Sequence, residues 1–226
     1  MAGILFLISA PSGSGKSTLV SEVRRLIPGL DFSISYTTRA PRGSEQDGQE
    51  YHFTTREAFI AMADRGEFLE WAEVFGNFYG TPLSGLVRAA EQGRDLLLDI
   101  DVQGALQVMQ RMPNAVSIFV LPPNPQELEK RLRLRSQGEG VTQESVIERR
   151  LSEARLELLN LERYQYAVVN DVLLDATAAM RAIVLAERDE GGGAERSLAQ
   201  GCLTEVKSEH LQAALDSFAV ELAGSR

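Results

Sequence analysis

The chain has 226 residues, 44% of them apolar, and a formal net charge of −9. That length allows one large domain or one domain with an appendage. The acidic balance argues against a general nucleic-acid binder, and no run approaches the roughly 18 apolar residues of a membrane span.

The lone Cys202 cannot form an internal disulfide. The first apolar run begins almost at Met1, leaving no room for a signal peptide. The expected compartment is therefore the cytoplasm, with neither nucleic acid nor membrane as partner. The minority positive charge is clustered at Arg39 and Arg42, at Arg131, Arg133 and Arg135, and at Arg149 and Arg150. Local arginines on an acidic chain suit a small polyphosphate ligand.

Taken in order, Ile4 to Ile8 reads as a buried strand. It leads into Ala10-Pro11-Ser12-Gly13-Ser14-Gly15-Lys16-Ser17-Thr18, and helical spacing follows from Leu19 to Leu26. Strand, glycine-rich turn and helix are the context a phosphate-binding loop requires. Gly13 and Gly15 let backbone N–H groups approach phosphate oxygens. The helix start near Lys16 adds unpaired donors and a favourable dipole. Lys16 is expected on the β- and γ-phosphates, and the Ser17 hydroxyl on Mg²⁺. Ala10 replaces the glycine that usually opens the motif, which is tolerable where φ stays negative. The loop alone specifies a nucleoside triphosphate, without separating a GTPase, an ATPase and a small-molecule kinase.

Leu30 to Ser35 predicts a second strand, followed by a polar loop from Thr37 to Glu50. The rings of Tyr51, Phe53, Phe68, Trp71, Phe75, Phe78 and Tyr79 then crowd one stretch, as in a small subdomain with a pocket. Thr55 is placed to cap a short helix through Met62. Residues 67–80 read as strand–turn–strand around Gly76-Asn77. Pro82 opens a helix to about Glu91, with Leu83, Leu86, Val87 and Ala90 on one face.

Asp95 to Ile100 and Ala115 to Leu121 are continuous apolar runs, as in buried parallel strands. Helices are expected over Val102–Gln110, over Asn124–Arg135, from Thr142 to about Leu161, and over Asp175–Glu187. Gly138 and Gly140 break the chain, and Tyr166–Val169 is a last strand. The alternation specifies an α/β domain with a mostly parallel sheet. Asp189 to Gly193 reads as a flexible linker. Beyond it, Leu211, Ala214, Leu215, Phe218 and Leu222 give a short amphipathic helix. That helix docks back, pairs with another chain as in a homo-oligomer, or is partly disordered.

Two guanidinium groups, Arg39 and Arg42, with the phenols of Tyr51 and Tyr79, make a site for a dianion such as a nucleoside monophosphate. Glu70 sits at a polar position between Leu69 and Trp71 in an otherwise apolar and aromatic run, so it is either a solvated strand position or a buried acceptor needing donors. Guanine supplies them through N1–H and N2–H₂, and adenine has no such edge. Ser35 and Thr81 could add hydrogen bonds to the base. Asp99 and Asp101 point to one side at a strand end. Asp99 could position Mg²⁺ through water. Asp101 could face the acceptor or cap the next helix. Arg131, Arg135, Arg149 and Arg150 flank the 136–140 loop, where paired helices could close as a lid, while Arg133 faces solvent.

In these pieces the chain resembles the guanylate kinases over about residues 4–187. The resemblance rests on Ser9 to Ser17; on Ser35 with Thr37 to Arg42, Glu45, Gly48 and Tyr51; on Phe75 to Thr81; on Leu98 to Gly104; and on Val169-Asn170-Asp171. It implies the fold of a P-loop nucleoside monophosphate kinase, with a five-stranded parallel core sheet, a small monophosphate-binding subdomain and a helical lid. The implied core is 1–35, 94–125 and 151–187 of a 1–187 domain, with a GMP-binding region at 36–93 and a lid at 126–150. Residues 188–226 form the linker and terminal helix.

The implied reaction transfers the γ-phosphoryl group of ATP to GMP, and to dGMP, with Mg²⁺. Lys16, Arg39, Arg131, Arg135 and Arg150 would stabilise charge. Ser12, Gly13, Ser14, Gly15, Lys16, Ser17 and Thr18 would hold ATP, with Asn170 near the adenine. Ser35, Arg39, Arg42, Tyr51, Glu70, Tyr79, Thr81 and Asp101 would hold GMP. Ser17 and, through water, Asp99 would hold the metal. Closure of the lid and the GMP-binding region would exclude water and so prevent hydrolysis of ATP. A non-catalytic scaffold of the same likeness, or a kinase for another monophosphate, is the alternative. The full set of loop, acceptor and lid residues argues against the first, and Glu70 with Ser35 against the second.

Overall fold

A computed structural model describes residues 3–138 and 143–224, apart from the side chains of 220–224. The expected chain break at Gly140, the helix start at Thr142 and the side chain of Leu222 lie outside the described residues.

The elements in chain order are β1 (Leu5–Ser9), α1 (Lys16–Leu26), β2 (Leu30–Ser33), β3 (Tyr36–Thr37), β4 (His52–Phe53), α2 (Arg56–Asp64), β5 (Phe68–Val74), β6 (Asn77–Pro82) and α3 (Leu83–Gln92). They continue with β7 (Asp95–Asp99), α4 (Val102–Arg111), β8 (Val116–Leu121), α5 (Pro125–Gly138), α6 (Glu144–Leu158), β9 (Tyr166–Val169), α7 (Leu173–Glu187), α8 (Gly193–Gly201) and α9 (Glu209–Gly224). Five strands form a parallel sheet in the order β2-β7-β1-β8-β9, and four form a second sheet in the order β4-β3-β6-β5. The chain divides into two units, Met1–Ile8 with Gly29–Val116 and Ser9–Pro28 with Ser117–Arg226.

In the first unit, Phe6, Leu7, Leu97 and Leu98 are fully buried or nearly so. A strand covered on both faces needs apolar residues at every position, so these strands read as unbroken hydrophobic runs. The register pairs Leu5 with Leu96, Leu7 with Leu98 and Leu30 with Asp95. The small sheet has a different core, where Phe59 of α2 stacks between Phe68 (4.5 Å) and Phe78 (5.4 Å). Thr55 caps α2 as expected, accepting from the Ala58 N–H at 3.2 Å. On α3 the expected apolar face is shifted. Ala89 is buried, Leu83 and Leu86 are half-buried, and Val87 and Ala90 are exposed.

In the second unit, α7 begins two residues earlier than expected and packs against α1 and α8. The segment expected as a flexible linker is a tight turn that leads into a helix, α8. Asp189 adopts φ 60°, and the N–H groups of Glu190 and Gly191 both donate to the Leu185 carbonyl at 2.9 and 3.0 Å. Arg196 Nε then closes the turn on the Gly191 carbonyl at 2.8 Å. A glycine run serves a linker and an inter-helix turn equally well, so composition alone misread it. Of the three fates open to the terminal helix, the structure has it docked back. Leu211, Ala214 and Phe218 are buried, and α9 lies against β9 and α5.

Candidate functional site

The first unit carries one group of candidate residues. In β5 the register slips between Phe68, opposite Pro82, and Glu70, opposite Thr81. This bulge leaves Leu69 as the extra residue and turns Glu70 to the other face from Phe68. Phe68 therefore joins Phe59 and Phe78 in the aromatic core. Glu70 shares its face with Thr81 and Tyr79, as cross-strand pairing and the two-residue alternation of a strand require.

Glu70 is only 2% exposed, so it is no solvated strand position. Its Oε1 accepts from the Thr81 hydroxyl at 2.6 Å and the Thr81 N–H at 3.2 Å. Ser35 Oγ lies 3.4 Å from Thr81 Oγ1. Burial, with the nearby charge of Asp101, pushes the Glu70 carboxyl up to about 7, against the Thr81 hydrogen bonds and Arg111. Its other oxygen is 2.3 Å from where a Cβ on Gly104 would stand. Gly104 thus makes room for that oxygen, a part that sequence reading did not give it. Only its place two residues inside the helix after Asp101 could have flagged it. Asp101 itself caps α4, with Oδ1 accepting from the Gly104 N–H at 3.0 Å. The bland reading of Asp101 is therefore met by one oxygen.

The same unit gathers the arginine and tyrosine group. Arg39 is buried, and its Nη1 and Nη2 donate to the two oxygens of Glu45 at 2.9 and 3.0 Å. Glu45 also accepts from the Arg42 N–H at 2.8 Å, which fixes the turn carrying the exposed Arg42 side chain. The Arg39 guanidinium sits 5.4 Å from the Tyr51 ring centre, and Tyr51 meets Tyr79 edge-on at 5.8 Å. Among the described residues, Arg39 Nε is one of three buried side-chain atoms without a hydrogen-bond partner. A buried donor left unpaired costs about 1–3 kcal/mol, and a phosphate oxygen between these groups would remove that cost. Burial opposes the charge on Arg39, yet Glu45 and Tyr79 keep its pKa above the usual arginine value. Tyr51 is raised by burial and by the charges of Asp99 and Tyr79. Asp99 is half-buried at the end of β7, opposite Ile8. Glu45 was quoted in the sequence motif without a role, and it is the residue that orients Arg39.

The second unit carries the glycine-rich loop. Gly13 and Gly15 have φ 92° and 80°, the left-handed region that glycine enters freely. Each also lacks room for a side chain, since a Cβ would stand 2.8 Å from Leu132 Cγ at Gly13 and 2.5 Å from Asn170 Nδ2 at Gly15. Ala10 has no positive φ, so its departure from glycine is harmless. Gly15 is the N-cap of α1 and offers no side-chain cap. The start of α1 presents backbone N–H groups and a dipole end that suit an anion. Ser12 and Lys16 are half-buried, Ser17 and Thr18 are exposed, and the buried Ser14 Oγ is unpartnered.

Asn170 is buried at the end of β9, and its Nδ2 donates to the Ser14 carbonyl at 2.8 Å. That places it as a brace of the loop. Arg131 of α5 points to the same loop, with Nη1 donating to the Asn170 carbonyl at 2.9 Å and reaching Ser14 O at 3.4 Å. Its Nε is held by Glu127 at 2.8 Å. The other two arginines stand further along α5 and on α6. Arg135 is exposed near the end of α5, and Arg150 Nη1 donates to Ser136 at 3.0 Å across the α5–α6 pair. Arg133 is half-buried rather than solvated, paired with Glu129 at 2.7 Å and Glu144 at 2.5 Å.

Among the described residues, no three His, Cys, Asp or Glu side chains cluster as a metal cage. The Ser17 hydroxyl fits an ion that arrives with a polyphosphate and keeps most of its waters, as Mg²⁺ does.

A parallel α/β sheet with a glycine loop turning into a helix, and a separate arginine–tyrosine–carboxylate group on a small mixed sheet, defines a class of protein built to hold phosphorylated ligands. A family model described as guanylate kinase matches residues 3–187. A guanylate kinase from Koribacter versatilis is 52% identical, covering 96% of this chain and 97% of that protein. One from Syntrophotalea carbinolica is 50% identical over 82% of this chain and 86% of its own. The crystal structure of guanylate kinase from Anaplasma phagocytophilum superposes with a TM-score of 0.69 at 34% identity, covering 82% of this chain and 86% of that one. The chain belongs to the guanylate kinase family.

Proposed function

We propose that this protein transfers the γ-phosphoryl group of ATP to GMP, and to dGMP, giving ADP and the nucleoside diphosphate. The observation that carries the reading is Glu70: a buried carboxyl, pushed up to about 7, beside the Thr81 and Ser35 hydroxyls. Its second oxygen and Asp101 offer acceptors to the N1–H and N2–H₂ edge of guanine. Adenine would leave the second oxygen of the carboxylate buried without a donor from the base. Arg39, Arg42, Tyr51 and Tyr79 supply the donors that a monophosphate dianion needs.

The loop from Ser12 to Thr18 and the start of α1 hold the donor's phosphates, with Lys16 on the β- and γ-groups. Arg39 and Arg131, joined by Arg135 and Arg150, neutralise charge on the transferred group. Asn170 reaches the donor through the loop that it braces and through its place near the adenine. Ser17 and, through water, Asp99 would hold Mg²⁺, which would supply charge neutralisation. No side chain has to act as a strong base, because the acceptor phosphate is already ionised near neutral pH. In this reading 36–93 is the acceptor region, 126–150 a lid, and the working compartment the cytoplasm.

The test is a coupled assay of ADP formation from ATP and Mg²⁺ across GMP, dGMP, AMP, UMP, CMP and dTMP. Turnover is expected with GMP and dGMP only, and is expected to vanish in Lys16→Ala. Equal turnover with AMP would remove the role given to Glu70. No turnover with any acceptor from folded protein would overturn the kinase reading in favour of a binding scaffold.

A further inference from the structure

Residues 188–226 lie beyond the family match at 3–187, and the proposed chemistry makes no use of them. Their contacts are specific. The segment after α8 runs beside β9, which ends the strand order of the sheet. The Ala167 N–H donates to the Cys202 carbonyl at 2.7 Å, and the Thr204 N–H to the Gln165 carbonyl at 3.0 Å. Tyr166 and Leu203 form an antiparallel bridge. Thr204 Oγ1 adds a bond to the Tyr164 carbonyl at 2.5 Å. The tail thus gives an edge strand the partner it lacked. Past it, α9 buries Leu211, Ala214 and Phe218 where it packs against β9 and α5.

Both supports of the phosphate loop stand on the elements so gripped. The Ser14 carbonyl is held by Asn170, one residue beyond β9, and is approached by Arg131 of α5. Leu128 and Leu132 of α5 lie where a Cβ on Gly13 would intrude. The two routes from the tail, through β9 and through α5, therefore converge on one carbonyl in the middle of the loop.

We infer that the tail is a positioning brace for the phosphate-donor loop: by clamping β9 and α5 it fixes the Ser14 carbonyl, and so sets affinity for the donor nucleotide without touching it. The inference rests on the reading of the loop as the donor site. Packed elements pass a change at one end to the other only through such contiguous contacts.

The test compares the full chain with Phe218→Ala and with the double variant Leu211→Ser/Phe218→Ser, both of which loosen α9 and leave every candidate site residue intact. Hydrogen exchange of the amides at 13–19 is measured with those at 96–98 as reference, and ADP–Mg²⁺ and GMP binding by calorimetry. Loop amides are expected to exchange about five- to tenfold faster in the variants, with ADP affinity falling by a similar factor and GMP affinity unchanged. Phe218→Ala keeps the question answerable should the double variant fail to fold. A lower melting temperature with unchanged loop exchange and ADP affinity would overturn the brace, leaving a tail that only stabilises. Equal loss of ADP and GMP affinity would also overturn it. If ADP protects no loop amide even in the parent, the donor reading fails, and faster loop exchange in the variants alone judges the brace.

Discussion

Replacing Glu70 by glutamine should make the folded protein more stable while removing its grip on GMP. The folded chain holds the Glu70 proton up to about pH 7, whereas the unfolded chain releases it near the ordinary 4.5. The folded state therefore binds more protons between those values, and stability falls as pH rises through that window and levels off above it. At roughly 1.4 kcal/mol per pH unit of separation, the penalty reaches about 3 kcal/mol once Glu70 is ionised in both states. Glutamine cannot ionise, its carbonyl can keep both bonds from Thr81, and its amide would face the charge of Asp101. In urea unfolding, Glu70→Gln should exceed the parent by about 2–3 kcal/mol at pH 8 and by less than about 1 kcal/mol near pH 5. Calorimetry should show GMP affinity reduced about 30- to 100-fold, the loss of a charged bidentate partner. A variant less stable than the parent at pH 8, or a gain independent of pH, would refute the argument.

Gly104→Ala should drive the Glu70 carboxyl from its place, since the new methyl would stand 2.3 Å from Oε2. The KM for GMP should rise tenfold or more, about 1.4 kcal/mol, with little change in melting temperature, because alanine favours the helix by about 1 kcal/mol. Glu45→Ala leaves the buried Arg39 fork without its carboxylate; stability should fall by about 2 kcal/mol in denaturant titrations and the KM for GMP should rise. Asn170→Ala removes one bond from the Ser14 carbonyl, so the KM for ATP should rise about fivefold, near 1 kcal/mol, with the KM for GMP unmoved. Between pH 7 and pH 5 the parent's GMP affinity should fall more steeply than the nucleotide's own phosphate titration explains, and Glu70→Gln should remove the excess.

Much of the fold was legible because its signals are local. Unbroken runs such as Leu96-Leu97-Leu98 betray strands covered on both faces, and the loop from Gly13 to Ser17 states its own conformation through glycines that only a left-handed backbone requires. The candidate residues were legible where a residue type is out of place, as with Glu70 among aromatics. Their partners were not. The hold of Glu45 on both terminal nitrogens of Arg39, the closeness of Gly104 to a carboxylate, and the Asn170 bond to the Ser14 carbonyl all depend on tertiary geometry. Along the chain, Asn170 and Ser14 are 156 positions apart. The apolar face of α3 was misplaced because Ala89 is a weak hydrophobic signal beside Val87, although Ala89 is the one that is buried. The glycine run after Glu187 failed for a related reason, since composition reports flexibility of the unfolded chain and not the turn it settles into.

The extra residue in β5 makes the separation of two faces a matter of counting. Leu69 separates two faces that a regular strand would merge, one aromatic and one carrying the carboxylate. With Leu69 deleted, Phe68 and Glu70 would be consecutive in an even pleat and still point to opposite faces, whereas straightening the slip with Leu69 kept would bring them to the same side, so one of them would have to face the wrong neighbours. The slip in register, and not the identity of residue 69, is therefore what keeps the aromatic core and the carboxylate apart.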